Sequence, residues 1–288
     1  MQTLGKLSAA NLKQMWLSTY SLDVSRFLPG HEVELNKVEP FGFYRFEPAE
    51  PGDDQFYKSL MRKMGYDDAD KAEFGAAASE IGPGDEVLDV GCGTGNFATQ
   101  CAGRYTGVET NPGAVEDAAK LGRNVKLGKV ENLPRESFDV ATVFQVLEHV
   151  PDPAAFMTAV IGRVRPGGKV VVSVPNQGGI VGCAANQLLN YPPHHLTWWS
   201  EDSLSGLLES LDCRVERVWT EPLQPLHYSV FLQALLAPAD DRHISRSKRL
   251  LLTRIFAKIL VPLLKRTWKE IPFVKGHTIM VVARKATA

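Results

Sequence analysis

Glu86 to Phe97 reads Glu-Val-Leu-Asp-Val-Gly-Cys-Gly-Thr-Gly-Asn-Phe, an apolar strand that runs directly into three alternating glycines and then a helix. A junction of this kind suits a nucleotide. Residues without Cβ let the backbone approach a ligand closely, and the N–H groups at the helix start face it. The spacing is Gly91-x-Gly93-x-Gly95. It differs from the Gly-x-Gly-x-x-Gly of dinucleotide-binding loops, which disfavours a nicotinamide oxidoreductase. Glu109 ends the next predicted strand, where a carboxylate can accept two hydrogen bonds from a ribose diol. Taken without the glycine loop, Glu109 reads equally well as a solvated strand-end carboxylate. Asp89 sits inside the apolar strand and therefore needs hydrogen-bond partners, which the glycine loop's own N–H groups are expected to supply.

From Glu86 onward, short β-rich runs alternate with helical stretches, the pattern of an α/β doubly wound sheet with helices on both faces. The predicted strands are 86–90, 105–109, 125–128, 138–144, 169–174, 213–220 and 277–283. Asp152 reads as a helix N-cap with Pro153 at the first helical position. Arg165-Pro166-Gly167-Gly168 reads as the end of that helix and the turn into the fifth strand. Residues 1–80 show no strand–helix alternation and are expected to form a cap or substrate-side extension to a domain over 81–288. The interval 221–276 before the last strand is longer than a turn requires and reads as a helical insertion.

With 44% hydrophobic content over 288 residues, the chain can bury a full core. The formal net charge of −1 argues against a general nucleic-acid binder. Cys92, Cys101, Cys183 and Cys213 form no CxxC pair, so neither a zinc ribbon nor a disulfide scaffold is expected. No run of 18 apolar residues occurs. The expected setting is cytoplasmic, with peripheral contact at the inner membrane surface as the alternative.

Phe138 to Pro153 contains Phe-Gln-Val-Leu-Glu-His-Val-Pro-Asp-Pro at its end. Together with Val87-Leu-Asp-Val-Gly-Cys-Gly-Thr-Gly95 and Arg165-Pro-Gly-Gly168, it resembles the class I S-adenosylmethionine-dependent methyltransferases, and most of all the ubiquinone-biosynthesis O-methyltransferase branch. The resemblance is strong over 86–176, moderate to about Leu211 and weak elsewhere. It implies a seven-stranded sheet with a reversed final strand and S-adenosylmethionine as cofactor. By the same resemblance Gly91, Gly93 and Gly95 border the methionine moiety, Glu109 holds the ribose, and Val130 and Phe144 flank the adenine. Lys129 stands where relatives often carry an acidic residue. Gln145 stands where some relatives have the first carboxylate of a metal-holding Glu-x-x-Glu-His, so no metal site is expected.

Methyl transfer from a sulfonium is an in-line displacement in which positioning supplies much of the rate. A hydroxyl acceptor also benefits from a base, for which His149, His194 and His195 are the candidates. His149 reads alternatively as a helix-entry residue bonded to backbone. The tract Tyr191-Pro-Pro-His-His-Leu-Thr-Trp-Trp-Ser200 suits a preformed pocket wall, or plain core packing of its tryptophans. Its Pro192–Ser200 segment resembles one in methyltransferases associated with cell-surface polysaccharide synthesis. Ser200 and Glu201 also read as a helix entrance.

The expected acceptor is a small molecule or a glycan unit. Residues 242–275 are basic and apolar together, a pattern suited either to an anionic membrane surface or lipid-linked substrate, or to a helix packed on the domain with a solvated face. A domain that binds the cofactor without catalysis is the other reading of the whole chain.

Overall fold

The computed structural model describes residues 2–64, 71–183, 187–236, 248–267 and 271–287. The chain begins with β1 (Gln2–Ser8), α1 (Ala9–Tyr20), β2 (Glu32–Val38), β3 (Phe43–Glu47) and α2 (Asp54–Met64). It continues through α3 (Ala72–Ala78), β4 (Glu86–Val90), β5 (Arg104–Glu109), α4 (Pro112–Lys120), β6 (Val125–Leu127) and β7 (Phe138–Phe144). Next come α5 (Pro153–Ile161), β8 (Val164–Pro175), α6 (Ile180–Cys183), β9 (Thr197–Trp198) and α7 (Glu201–Ser210). The last elements are β10 (Cys213–Leu223), α8 (Tyr228–Leu236), α9 (Lys248–Thr267) and β11 (Ile271–Lys285). Two compact units result: Met1–Gly65 with Pro175–Ser203 and Thr220–Ile279, and Tyr66–Val174 with Leu204–Trp219 and Met280–Ala288.

In the first unit, β1, β2, β3 and β9 form a four-stranded antiparallel sheet in that order. Residues 1–80, which show no strand–helix alternation in sequence, thus supply three strands. Their pattern is hard to read because β2 buries Val33, Leu35 and Asn36 rather than strictly alternating, and the fourth strand is only the pair Thr197–Trp198. Helix α1 starts at Ser8, whose side chain accepts from Asn11 N–H, and buries Ala9, Leu12 and Trp16 along one face. These side chains pack with Val33, Leu35, Phe46, Phe56, Leu188, Tyr191 and Trp198 into one core. The Trp16 indole N–H donates to the carbonyl of Pro192 at 2.8 Å, so the largest buried ring also has its polar atom satisfied.

The seven-stranded sheet has the order β10-β11-β8-β7-β4-β5-β6 and closes with an antiparallel last strand. Strands β4 through β8 pair in parallel, with β4 lying between β5 and β7. The continuous apolar runs of β4 and β7 are buried on both faces, as parallel strands covered by helices should be. All seven strands read from the sequence are present. One boundary differs: α5 ends at Ile161, and Arg165–Gly168 lies inside β8 rather than before it. A register shift between Phe138 and Val140 takes up the irregularity where Gly167 adopts φ +76°. The end of α5 that matches expectation is its start, where Asp152 Oδ1 accepts from Ala155 N–H at 3.0 Å and Pro153 opens the helix.

The insertion before β11 contains α8 and α9, with Pro262 inside α9. Residues 242–247 and 268–270 of the basic stretch lie outside the described residues, and Arg246 and Lys269 with them.

Trp16→Ala is expected to lower the stability of the protein by about 3–5 kcal/mol, because it empties a fully buried ring site. Trp16→Phe keeps the ring contacts with Tyr20 and Phe56 and loses chiefly the N–H bond, so its cost should be markedly smaller. The displacement of the urea midpoint measures both.

Candidate active site

Strand β4 delivers the chain at Val90 into a loop in which Gly91, Gly93 and Gly95 adopt φ of +69°, +56° and +73°. At Gly91 the requirement for glycine is also steric, since a Cβ there would stand 2.6 Å from Val146 Cγ2. At Gly93 nothing lies within 4 Å of the same position. Gly91 N–H donates to the Val108 carbonyl of β5 at 2.8 Å, and within the loop Gly95 N–H donates to the Cys92 carbonyl at 2.9 Å.

Gly93 N–H donates to Glu109 Oε2 at 2.9 Å. Glu109 Oε1 accepts from the backbone N–H groups of Thr110 at 2.7 Å and Asn111 at 2.9 Å. The carboxylate that ends β5 therefore fixes the middle of the glycine loop as well as the entrance to α4. Asp89 does something different from the sequence expectation. Its partners are side chains of the flanking strands, Tyr105 Oη at 2.8 Å and Thr142 Oγ1 at 2.9 Å, and the loop N–H assigned to it goes to Glu109. The reason is geometric: β4 pairs with β5 and β7 on either side, so its buried side chains meet those neighbours before they meet the loop.

Burial pushes the Asp89 carboxyl up to about 7, against the lowering effect of the Tyr105 and Thr142 bonds. Burial likewise drives the Tyr105 hydroxyl and the Cys92 thiol well above their ordinary ranges, so neither ionises in this interior.

The remaining predicted residues stand at the carboxyl ends of the parallel strands or in the first unit. Val130 is buried at the start of a single 3-10 turn after β6, and its carbonyl accepts from Arg163 Nε at 2.9 Å. Phe144 ends β7 and meets the rings of Phe74 and Phe97 at centroid distances of 5.0 and 4.8 Å. His149 closes the 3-10 turn after β7, with its Nε2 3.7 Å from Oε1 of the buried Glu148. Burial raises the Glu148 carboxyl to about 8, with Glu73 adding to the effect and Lys71 opposing it.

His194 and His195 belong to the first unit. The buried His195 has its Nδ1 3.1 Å from Asn190 Oδ1, and the two imidazoles meet edge to face at 4.6 Å. Tyr57 packs edge-on against the His194 ring and donates its hydroxyl to the His194 carbonyl at 3.3 Å. Trp198 and Trp199 are core residues: Trp199 is fully buried and stacked on Phe43 at 4.4 Å, and Trp198 meets Phe46 edge-on at 5.0 Å. Of the two roles open to them in sequence, packing is the one observed.

Two residues have a role here that the sequence reading does not give them. Gln145, directly after β7, takes a left-handed backbone at φ +55°, and its Nε2 donates to Oε1 of the buried Glu73 on α3 at 3.2 Å. The only sequence signal was the Gln itself in a position where relatives carry Glu. Glu73 sits in a short alanine-rich helix that carries no motif.

S-adenosylmethionine fits this loop by its donor set. The open space at Gly93 admits the close approach of a ligand, and the Glu109 carboxylate next to it can accept from hydroxyl groups.

The sign of the pH dependence follows from Asp89 and Glu148. Both carboxyls have folded-state values above their ordinary ones of 3.8 and 4.5, so their protonated forms favour the fold. That contribution is complete below about pH 4 and is lost as the pH rises through about 7 to 8. The melting temperature should fall across this window. Asp89→Asn should flatten the fall in a thermal-shift series at matched ionic strength. Gly91→Ala, which forces Val146 aside, should lower the melting temperature at every pH.

A family model for the methyltransferase domain matches residues 58–218, more than half of the chain. The ubiquinone biosynthesis O-methyltransferase of Pseudomonas fluorescens is 39% identical over 107 residues, 33% of this chain and 46% of that protein. The corresponding Idiomarina loihiensis protein is 36% identical over 128 residues, 38% of this chain and 52% of its own. The chain thus spans about half the length of these curated relatives. Among solved structures, an S-adenosylmethionine-dependent methyltransferase from Mesorhizobium loti is 17% identical with a TM-score of 0.48, covering 75% of this chain and 98% of that one. With the glycine loop, its bonded carboxylate and the sheet order already in place, the chain belongs to the methyltransferase-domain family, of class I, whose methyl donor is S-adenosylmethionine.

Proposed function

We propose that this protein transfers the methyl group of S-adenosylmethionine to a hydroxyl oxygen of a small molecule or a sugar unit. The observation that carries the reading is the Gly91–Gly95 loop held open at Gly93 and tied to Glu109. The names of the two curated relatives, both O-methyltransferases, support oxygen as the acceptor atom.

In this reading Gly91, Gly93 and Gly95 border the methionine portion, and Glu109 accepts from a ribose hydroxyl with the Oε2 lone pair that the Gly93 bond leaves over. Val130 and Phe144 flank the adenine. Asp89 supports the loop from below by locking β4 to β5 and β7. The bound cofactor supplies a methyl group activated by its sulfonium. The acceptor oxygen forms the new O–C bond as the S–C bond breaks with its electron pair returning to sulfur, and the acceptor's proton passes to a base. His149, His194 and His195 are the candidates for that base.

Contact with a membrane surface through 242–275 would bring such a protein to a lipid-linked acceptor. The described part of α9 supports this. Lys258, Ile259, Pro262, Leu263, Lys265 and Arg266 are exposed along one arc, while Val261 and Leu264 pack inward with Leu223, Tyr228 and Ile271. Ile259 is 69% and Leu263 58% exposed, and Lys248–Thr267 contains no acidic residue. Cations beside outward apolar side chains match an anionic lipid surface, each worth about 1 kcal/mol near the headgroups. Among the described residues, no helix is long and apolar enough to cross a membrane.

Calorimetric titration with S-adenosylhomocysteine should show saturable binding. Gly93→Val should abolish it, and because a β-branched residue is strained at φ +56° the variant should also melt somewhat lower, so its binding is measured below its own melting transition; absence of binding by the unaltered protein would overturn the reading. Replacing each histidine by Gln should lower kcat about 100-fold or more at the true base while leaving cofactor affinity intact. In sedimentation, vesicles with an anionic lipid fraction should carry the protein down and purely zwitterionic vesicles should not. Ile259→Asp with Leu263→Asp should release it.

A further inference from the structure

Arg123 lies in the turn between α4 and β6, and its backbone is fixed from both sides. Gly122 before it adopts φ +69°, its own N–H donates to the Ala118 carbonyl at 3.0 Å, and its carbonyl accepts from Val125 N–H at 3.1 Å. The next residue ties the turn to β5: Asn124 Nδ2 donates to the Tyr105 carbonyl at 3.0 Å, and the Asn124 carbonyl accepts from Gly107 N–H at 2.9 Å. From this support the partly buried guanidinium reaches the glycine loop. Its Nη1 donates to the Thr94 carbonyl at 2.9 Å and to Asn96 Oδ1, one residue on either side of Gly95. The bonds that the described residues give this guanidinium all go to Thr94 and Asn96, and none to a carboxylate.

The Thr94 carbonyl and the Gly95 N–H belong to one peptide unit. Gly95 N–H donates to the Cys92 carbonyl, so with Arg123 in place this unit is bonded at both ends. The unit from Cys92 to Gly93 is bonded at both ends as well, through that same Cys92 carbonyl and through Gly93 N–H to Glu109. Between them stands the Gly93–Thr94 unit. Its carbonyl meets only the weak thiol donor of Cys92 at 3.7 Å, and its N–H meets no acceptor among the described residues. A peptide unit next to glycine turns over readily, because a residue without Cβ accepts φ of either sign. Without the Arg123 donor the Thr94 carbonyl would be free to turn, and the cost of ordering it would fall on ligand binding.

We infer that Arg123 is a positioning residue for the amino-acid tail of the cofactor: it fixes the Thr94–Gly95 peptide unit and so sets the orientation of the Gly93–Thr94 unit offered to that tail. This rests on the reading in which Gly91, Gly93 and Gly95 border the methionine portion. Arg123 acts through the loop alone and needs no contact with the reacting atoms. Glu109 and Arg123 then divide the work, one holding the first half of the loop and the other the second, and both are referred to β5.

Calorimetric titration of the full chain with two ligands separates this role from a general effect on the fold. S-adenosylhomocysteine carries the amino-acid tail, whereas methylthioadenosine has the same nucleoside and sulfur and ends in a methyl group. The unaltered protein should bind the first more tightly. Arg123→Met keeps an unbranched stem and removes the donors; it should weaken S-adenosylhomocysteine about 10- to 100-fold, as expected for one charged hydrogen bond, and leave methylthioadenosine within about twofold. Arg123→Lys, which retains a donor for the Thr94 carbonyl, should fall between the two proteins and gives the same comparison if Arg123→Met does not fold. In the ligand-free protein, amide exchange read by mass spectrometry should rise over residues 91–97 in Arg123→Met and stay unchanged over β7. Equal weakening of both ligands, or full affinity for S-adenosylhomocysteine in the variants, overturns the inference alone, and so does unchanged exchange over 91–97. An unaltered protein that binds both ligands equally well overturns the placement of the methionine portion at the loop, and the inference with it.

Discussion

The bond from Gly93 N–H to Glu109 Oε2 is the interaction on which the shape of the glycine loop depends. A loop of three left-handed glycines has more conformational freedom than any other stretch of the same length, and without an external constraint that freedom would be lost anew at each binding event. Glu109 removes it. It accepts from the loop with one oxygen and from the first residues after β5 with the other, so one side chain sets the relative positions of two consecutive strand ends. The parallel pairing of β4 with β5, from Glu86 opposite Arg104 to Val90 opposite Val108, brings those ends level and makes the bond reachable. The residue that the family resemblance assigns to the ribose is therefore also the residue that shapes the glycine loop.

What the sequence disclosed and what it concealed divide along the range of the interactions. The glycine loop, Glu109 at a strand end, and the Asp152–Pro153 helix start are local devices, each decided by residues within a few positions of one another, and all stand where they were expected. The partners of Asp89 are of another kind. Tyr105 is 16 positions away and Thr142 is 53, and only the register of three parallel strands brings them to the same carboxylate. The four-stranded sheet of the first unit was concealed for the same reason. Tyr44 and Arg45 pair with Trp198 and Thr197, a ladder of two residues that no hydrophobic period announces. The tryptophan pair shows the converse: conspicuous composition left a pocket wall and core packing equally open, and it is the distant Phe43 and Phe46 that pack on the two rings.

Two buried acids show how this interior handles charge. Asp89 and Glu148 are nearly inaccessible, and burial raises both. Asp89 is met by two neutral hydroxyls, which satisfy a carboxyl in either protonation state, since each can donate or accept. A cation in their place would have fixed the charge but carried its own desolvation cost into the middle of a parallel sheet. Neutral partners leave Asp89 free to titrate close to neutrality. Burial outweighs both hydroxyl bonds, while the charges of Lys71 and Glu109 act on the carboxyl in opposite directions, Lys71 lowering it and Glu109 raising it.

Gln145 gives the clearest case of a departure from the family pattern with a physical reason. Its backbone is left-handed, a conformation that costs a side-chain-bearing residue roughly 1–2 kcal/mol and needs support from its surroundings. Support comes from both ends: its N–H donates to the Ser173 carbonyl at 3.0 Å, and its side-chain amide donates to Glu73. A glutamate at 145, as some relatives have, would keep the backbone bond but set a second carboxylate against the buried Glu73, where like charges at hydrogen-bond distance are strongly unfavourable. The amide and the α3 carboxylate are thus coupled choices. Once α3 brings an acid to this place, the residue after β7 has to donate, and the Glu-x-x-Glu-His arrangement is given up in exchange for a hydrogen bond that fixes the turn leading to Glu148 and His149.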